Sequence, residues 1–408
     1  MLQHHEHFRA RIHAVDAFAF DGQAVPDEFA NAGGFVIEQF GEDGFTCCGK
    51  GEAEVAALRF HAGIVTVHAR VSKATDAVVR PKQAWLDLAG PGSVLFLLAA
   101  GIGPRHHALM KLLLAFLLLA TTTARAAENL EQTYGHYGRL IVTQFVSAPF
   151  PHPARAEGHK YKDKVYAPDK HYRDSTVAIF IPEGFRETGK VDFVVHFHGW
   201  YNTVAGTLSQ YQLIEQFVES GKNAVLIVPE GPHDAPDSFG GKLEDPDGFK
   251  RFIDEAAVAL RRSGALKQDY FVLGDIILSG HSGGYRVISA IVDRLGLAPH
   301  VTEVWLFDAL YAESDKFLTW WDTHRGRLLN IYTDGGGTKD DSEAMMALLK
   351  KRGTAFLAVE ETKATANELK TNKLVFLHTD LPHNDVVEKR KEFCLFLKTS
   401  CLGETKVR

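Results

Sequence analysis

Residues 276–286 read Ile-Ile-Leu-Ser-Gly-His-Ser-Gly-Gly-Tyr-Arg and carry the strongest fold signal in the chain. The first three residues are apolar, as in a buried strand, and an amphipathic run begins at Tyr285. Between them lies the pattern Gly280-x-Ser282-x-Gly284, which occurs once in the chain. A turn this sharp strains the backbone at the serine, and flanking glycines avoid the clashes that β-carbons would create. The segment therefore predicts a strand, a tight turn that raises the Ser282 hydroxyl above the sheet, and a helix.

The chain around this turn alternates apolar strands with helices. Strands are predicted at 176–181, 192–197, 224–228, 275–278, 301–307, 328–332 and 373–378. Helices are predicted at 208–220, 246–262, 285–295, 315–323, 341–352 and 385–398. Near-continuous apolar strands separated by helices predict an α/β fold with a mostly parallel central sheet and helices on both faces. Because ligands bind beyond the carboxyl ends of such strands, the residues after each strand are the candidates for chemistry.

A serine hydroxyl is a weak nucleophile at neutral pH and needs an imidazole to accept its proton. The turn at Gly280–Gly284 resembles that of the α/β-hydrolases, in which the base follows the nucleophile and the acid in chain order. This resemblance makes His383, which follows the last predicted strand, the candidate base, whereas His378 falls within or at the edge of that strand. The acid that orients the imidazole has two candidates. Asp308 directly follows one apolar strand and needs a partner for its carboxylate, which favours it. Asp334 follows the next strand, but an aspartate before glycines also suits a turn. The sequence leaves this choice open.

The residues after the strand at 192–197 are candidates for binding a substrate oxyanion. His198-Gly199 resembles the strand-loop motif that supplies one oxyanion donor in the α/β-hydrolases. The resemblance implies that two backbone N–H groups hold the negative charge, one from Gly283 and one from Trp200 or Tyr201. Gly199 would let this loop approach a substrate carbonyl closely.

His196 and His198 share one strand face, which invites a metal site. No third ligand follows at the spacing of a metallohydrolase, so we predict neither a metal ion nor a cofactor. The loop 229–242 is polar and rich in proline and glycine. Such a loop suits either a substrate-facing segment or a plain surface connection.

From about Thr176 to Lys398 the chain resembles the α/β-hydrolase superfamily. The resemblance rests on Gly280–Gly284 and is supported by His198-Gly199 and by the position of His383. It implies a mostly parallel sheet and a serine–histidine–aspartate mechanism through an acyl-enzyme. The expected activity is hydrolysis of an ester, or of an amide, in a small-molecule or acyl-bearing substrate. The alternatives are a non-catalytic binding protein with this fold and a cell-envelope acyl transferase.

Residues 110–126 have the layout of a secretory signal, with Lys111, a nine-residue apolar run and a small-x-small site before Ala127. The run is too short to span a bilayer. We therefore expect translation to begin at Met110 and the domain 127–408 to be exported to the periplasm or the medium. Residues 1–109 would come from a misassigned start. They hold 3 lysines in 109 residues, against 20 in 282 for 127–408. A possible strand at 63–71 favours a small domain instead.

The remaining composition excludes some partners. The net charge of −6 gives no electrostatic footprint for nucleic acid, and no basic block indicates a membrane surface. Cys394 and Cys401 are the two cysteines of the exported domain. They form either a disulfide or two buried thiols, and a disulfide requires the helix to end between them. A continuous helix would separate their α-carbons by roughly 10 Å.

Overall fold

The computed structural model describes residues 129–266, 271–294 and 296–405, together with five strands within the first 71 residues. The chain divides into two units, Met1–His107 and Ala108–Arg408. The strands of the first unit form an antiparallel sheet in chain order: Arg11–His13, Phe35–Gln39, Gly44–Gly49, Glu54–His61 and Ile64–Val71. The last of them coincides with the predicted strand at 63–71. The misassigned start stays a prediction, and the signal at 110–126 lies outside the described residues.

The second unit is built on a nine-stranded sheet. In chain order its strands are β1 (Gly138–Gln144), β2 (Thr176–Pro182), β3 (Lys190–Phe197), β4 (Val225–Pro229), β5 (Val272–His281), β6 (Val301–Phe307), β7 (Arg327–Thr333), β8 (Leu357–Glu360) and β9 (Leu374–Thr379). The spatial order is β8-β9-β7-β6-β5-β3-β4-β2-β1. Every neighbouring pair is parallel except the two pairs that involve β2. The predicted mostly parallel sheet is confirmed.

Helices cover both faces of this sheet, as predicted. The described helices are α1 (Pro168–His171), α2 (Val204–Gln210), α3 (Leu213–Ser220), α4 (Gly248–Arg262), α5 (Tyr285–Asp293), α6 (Ser314–His324), α7 (Lys339–Lys351), α8 (Ala366–Thr371) and α9 (Glu392–Lys398). Helices α4 to α7 bury their apolar sides against one face, and α2, α3, α8 and α9 against the other. Strand β3 shows why both layers of helices are needed. Phe193 and Val195 pack into the core on one face of the sheet, and Val194 packs into the core on the other face.

Two of the predicted helices are wrong in their extent. The predicted helix 208–220 is two helices, α2 and α3, because Gln212 between them has a left-handed backbone with φ of 47°. The predicted helix 385–398 is reduced to α9, because Lys391 has φ of 59° and cannot continue a helix from the preceding turn.

Cys394 and Cys401 are free thiols rather than a disulfide, but the predicted alternative of two buried thiols holds for Cys394 alone, because Cys401 is exposed. Cys394 is buried in α9, and Cys401 lies beyond the end of that helix. Within the described residues, none of the helices has the length and apolar character needed to span a bilayer.

Candidate active site

The turn between β5 and α5 holds Ser282 in a left-handed backbone conformation, with φ of 52°. Such a conformation is costly for a residue with a β-carbon and is typical of functional sites. A β-carbon on Gly280 would lie 2.7 Å from the Ile288 side chain, and one on Gly284 would lie 2.7 Å from the Phe197 carbonyl oxygen. The backbone contact makes glycine sterically required at 284, as the sequence pattern predicts, whereas a β-carbon at 280 would require the end of the Ile288 side chain to shift.

Asp308 and His383 meet beyond the carboxyl ends of β6 and β9. His383 Nδ1 lies 2.6 Å from Asp308 Oδ2, and the Asp308 side chain is fully buried. A carboxylate only accepts hydrogen bonds, so Nδ1 carries the ring proton and donates a hydrogen bond to Asp308. The tautomer leaves His383 Nε2 free to accept a proton from a nucleophile.

Three further groups fix the Asp308 carboxylate. The Thr333 N–H donates to Oδ1 over 3.2 Å and the Thr333 hydroxyl donates to Oδ2 over 2.8 Å. The Thr338 hydroxyl also donates to Oδ1. A β-carbon on Gly336 would lie 1.7 Å from Oδ2, so only glycine fits there. Burial alone would raise the pKa of Asp308, but hydrogen bonds from His383, Thr338 and Thr333 hold it below the usual value. The carboxylate is thus charged at neutral pH.

The alternative acid, Asp334, lies elsewhere. Its carboxylate is exposed and pairs with Lys339 over 2.6 Å and with His378 Nε2 over 3.2 Å. His378, the other candidate base, also contacts Glu360. The structure therefore brings Asp308, and not Asp334, to His383.

Ser282 shares close neighbours with His383. The His281 ring, one residue before the serine, has its centroid 4.6 Å from that of His383. The Tyr311 hydroxyl neighbours the Ser282 side chain, and the Tyr311 ring centroid lies 6.3 Å from that of His383. In the part of the chain that the structure describes, no hydrogen bond joins the Ser282 hydroxyl to His383. Such bonds are often long without substrate and tighten on binding.

His281 is a positioning residue that the sequence analysis missed. Its ring is buried, and its Nδ1 accepts a hydrogen bond of 2.9 Å from the Tyr211 hydroxyl. Its Nε2–H donates to the His383 carbonyl oxygen over 2.9 Å. Burial, aided by the nearby His383, lowers the pKa of His281 to about 3, so the ring stays neutral. The only sequence signal was that a polar residue, His281, occupies the variable position between Gly280 and Ser282. A polar residue at that position was not expected to be buried.

The loop after β3 lies against the nucleophile. A β-carbon on Gly199 would lie 2.6 Å from Ser282 Cβ, so glycine is required at this position. The Tyr201 N–H already donates to the Ala235 carbonyl oxygen over 3.1 Å. Of the two predicted loop donors, this leaves the Trp200 N–H. The Trp200 ring covers Gly283, since a β-carbon there would lie 2.8 Å from Trp200 Cδ1.

The two histidines of β3 and its loop do not point at a shared site. His196 Nδ1 lies 2.9 Å from Ser279 Oγ, and burial lowers the pKa of His196 to about 3. His198 Nδ1–H donates to the Gly199 carbonyl oxygen over 2.8 Å, and its Nε2 accepts from the Gly231 N–H over 2.9 Å. His198 therefore ties the nucleophile's loop to the loop 229–242.

The loop 229–242 faces the nucleophile. Its Ser238 hydroxyl accepts a hydrogen bond of 2.8 Å from Trp200 Nε1. Ser238, Phe239 and Gly283 line one small pocket. This contact favours the substrate-facing alternative for the loop over a plain connection.

The comparisons with known proteins give fold-level likeness. No family model matches the chain, and no curated protein matches it. Among solved structures, a ferulic acid esterase has a TM-score of 0.42 at 11% identity, covering 64% of this chain and 98% of its own. FphF, a fluorophosphonate-binding serine hydrolase of Staphylococcus aureus, has a TM-score of 0.39 at 10% identity, covering 65% and 99%. An S-formylglutathione hydrolase from Agrobacterium tumefaciens has a TM-score of 0.36 at 13% identity, covering 65% and 96%.

The class of protein follows from the chain's own topology and site. The mostly parallel sheet, the turn at Ser282 after β5, and the chain order Ser282, Asp308, His383 are those of the α/β-hydrolase fold.

Proposed function

We propose that the chain is a serine hydrolase that cleaves a carboxylic ester of a small-molecule or acyl-bearing substrate. The observation that carries the proposal is the contact between a fully buried carboxylate, Asp308, and His383 Nδ1 at 2.6 Å. Burying a carboxylate is costly unless its charge is paired and hydrogen-bonded. The Asp308 carboxylate accepts four hydrogen bonds. Holding an imidazole in one tautomer is a task that fits this arrangement.

The mechanism starts at His383 Nε2, which accepts the proton of the Ser282 hydroxyl as the oxygen attacks the ester carbonyl carbon. Asp308 stabilises the imidazolium that forms. The imidazolium then donates its proton to the alcohol oxygen as the carbon–oxygen bond breaks, which leaves an acyl-enzyme on Ser282. Water attacks the acyl carbon as His383 takes its proton, and His383 then donates that proton to the Ser282 oxygen as the acyl bond breaks and the acid is released.

The negative charge of the tetrahedral intermediate falls on the carbonyl oxygen, which the N–H groups of Gly283 and Trp200 would bind. Gly199 supports this assignment, because the absence of a side chain there leaves the approach to Ser282 open. The exposed rings of Trp200 and Tyr201 lie beside the same opening and would contact the substrate.

The test is hydrolysis of p-nitrophenyl acetate by Ser282→Ala, with Ser209→Ala on the exposed side of α2 as the matched control. We expect the first variant to lose activity by at least about a thousandfold and the control to match the unchanged protein. Full activity of Ser282→Ala would remove the proposal.

We also propose that the protein is exported after cleavage before Ala127. The apolar run and the small-x-small site at 110–126 support this. N-terminal sequencing of the protein from the periplasm or the medium should give Ala127 first. A peptide from residues 1–109 in that sample would contradict both the cleavage and the misassigned start.

A further inference from the structure

Three ligand-bearing side chains outside the triad come together where β2 meets β4. Asp174 lies two residues before β2, Glu230 follows β4 directly, and His233 lies three residues further on. Because β2 runs antiparallel to β4, with Val177 opposite Pro229, these chain positions share one end of the sheet. One ligand atom from each of the three side chains lies within 4.8 Å of the others.

Two of these ligand atoms have no hydrogen-bond partner. Glu230 is only 2% exposed. Its Oε2 accepts from the Val204 N–H over 2.8 Å, while Oε1 is buried, lies 3.4 Å from His198 Nε2 and 3.5 Å from His233 Nδ1, and receives no hydrogen bond. His233 Nδ1 is likewise buried without a hydrogen bond. Unpaired buried polar atoms are expensive, so something is expected to lie between them.

The spacing fits an ion. His233 Nδ1 lies 3.5 Å from Glu230 Oε1 and 3.5 Å from Asp174 Oδ2. These separations exceed the normal range of hydrogen bonds to nitrogen, which ends near about 3.2 Å. Two ligand atoms of a tetrahedral zinc site, each about 2.1 Å from the ion, are about 3.4 Å apart. An ion at the centre would therefore satisfy all three atoms with little movement.

We propose that Asp174, Glu230 and His233 bind one divalent transition-metal ion, of which Zn²⁺ is the best match. Imidazole nitrogen and carboxylate oxygen are both zinc ligands, whereas Mg²⁺ and Ca²⁺ prefer oxygen ligands alone. The Asp174 and His233 side chains are 33% and 37% exposed, so an ion and one water can reach the site from solvent. The Thr176 N–H holds Asp174 Oδ1 over 2.9 Å, which leaves Oδ2 for the ion.

The ion would stiffen the loop 229–242 beside the nucleophile. His233 is already tied to α1, since its N–H donates to the His171 carbonyl oxygen over 2.9 Å. Two residues before it, the Gly231 N–H donates to His198, the residue before Gly199. Metal binding would thus join β2 and β4 to the loop that lies against Ser282. The ion's role is structural, and its presence does not depend on the proposed hydrolase activity.

The competing occupant is a proton. Hydrogen bonds that a charged imidazole would donate to the Asp174 and Glu230 carboxylates would raise the pKa of His233 to about 10. A protonated His233 would then form an ion pair with both carboxylates, and no metal would bind. The experiment must therefore separate a metal ion from a proton.

The first measurement is equilibrium dialysis of the full, EDTA-treated chain against ZnCl₂, with metal content read by atomic absorption. We expect His233→Gln and Asp174→Asn each to bind one zinc equivalent fewer than the unchanged chain, with affinity at the site lowered at least about tenfold. The matched control is His378→Gln, since His378 also lies between two carboxylates, but its Nδ1 is hydrogen-bonded to Glu360 and both carboxylates, Glu360 and Asp334, are more exposed than Asp174 and Glu230. It should keep the full number of equivalents.

The second measurement covers the case in which His233→Gln folds poorly. His233→Lys keeps a positive charge for the two carboxylates but removes the imidazole ligand. Zinc should raise the thermal midpoint of the unchanged chain and leave that of His233→Lys unmoved. Equal zinc equivalents in the unchanged chain and His233→Gln, or equal thermal gains in the unchanged chain and His233→Lys, would overturn the proposal.

Discussion

Replacing Asp308 with asparagine should lower kcat by about 10⁴, which is about 5.5 kcal/mol of transition-state stabilisation. All four hydrogen bonds at this carboxylate come from donors: His383 Nδ1–H, the Thr333 N–H and the hydroxyls of Thr333 and Thr338. An amide offers one oxygen and one NH₂ group, so its NH₂ must face a donor. This conflict is relieved most simply if His383 carries its proton on Nε2, so that Nδ1 accepts a hydrogen bond from the asparagine NH₂ group. That tautomer presents a proton to Ser282 and cannot take one.

The assay is the initial rate of p-nitrophenyl acetate hydrolysis, with circular dichroism to show that the variant folds. Asp334→Asn is the matched control, because Asp334 also follows a strand but contacts Lys339 and His378 at the surface. It should keep nearly full activity. More than a tenth of the activity in Asp308→Asn, or an equal loss in both variants, would refute the reasoning.

Three further outcomes follow from buried contacts. Arg327→Ala should lower the free energy of unfolding by about 3–5 kcal/mol in urea titrations. In the unchanged chain the Arg327 guanidinium lies 2.6 Å from the buried Glu303 carboxylate, which the substitution leaves without its charge partner. A loss below about 1 kcal/mol would contradict this. Burial alone would raise the pKa of Asp237, but Arg155 together with the Phe239 N–H holds it below its usual value. This carboxylate therefore stabilises the fold above about pH 4, and the gain disappears as pH falls through the lowered pKa. Urea unfolding at pH 7 and pH 3 should therefore show a smaller acid loss in Asp237→Asn than in the unchanged chain, and an equal loss would count against it. His281→Ala should lower kcat by up to about 100-fold with little change in KM, since it frees the backbone of the triad histidine; an effect on KM alone would argue for a role in binding.

The central strands and their helices could be predicted because each buried strand is nearly continuous in apolar residues. The edge strands β1 (Gly138–Gln144) and β8 (Leu357–Glu360) were missed although both contain apolar residues, because they are largely half-exposed and lack a long, continuous buried run. The helix breaks at Gln212 and Lys391 were also missed, since neither residue is a usual left-handed one. Tertiary contacts override local preference at both positions.

The candidate site divides in the same way. Ser282 carries a local signal, because its turn needs glycines at fixed spacing, and His383 could be placed by chain order. The choice between Asp308 and Asp334 could not be made locally. The choice depends on Thr333, Gly336 and Thr338. The pairing of β7 with β6 brings these three residues to Asp308.

The central claim is that the hydroxyl at 282 is a reactive nucleophile. Labelling of the full chain with a fluorophosphonate probe, followed by peptide mapping, tests it most directly. We predict a single labelled site at Ser282, with labelling abolished in Ser282→Ala and strongly slowed in His383→Ala. An unlabelled chain, or a label on any other residue, would contradict the account.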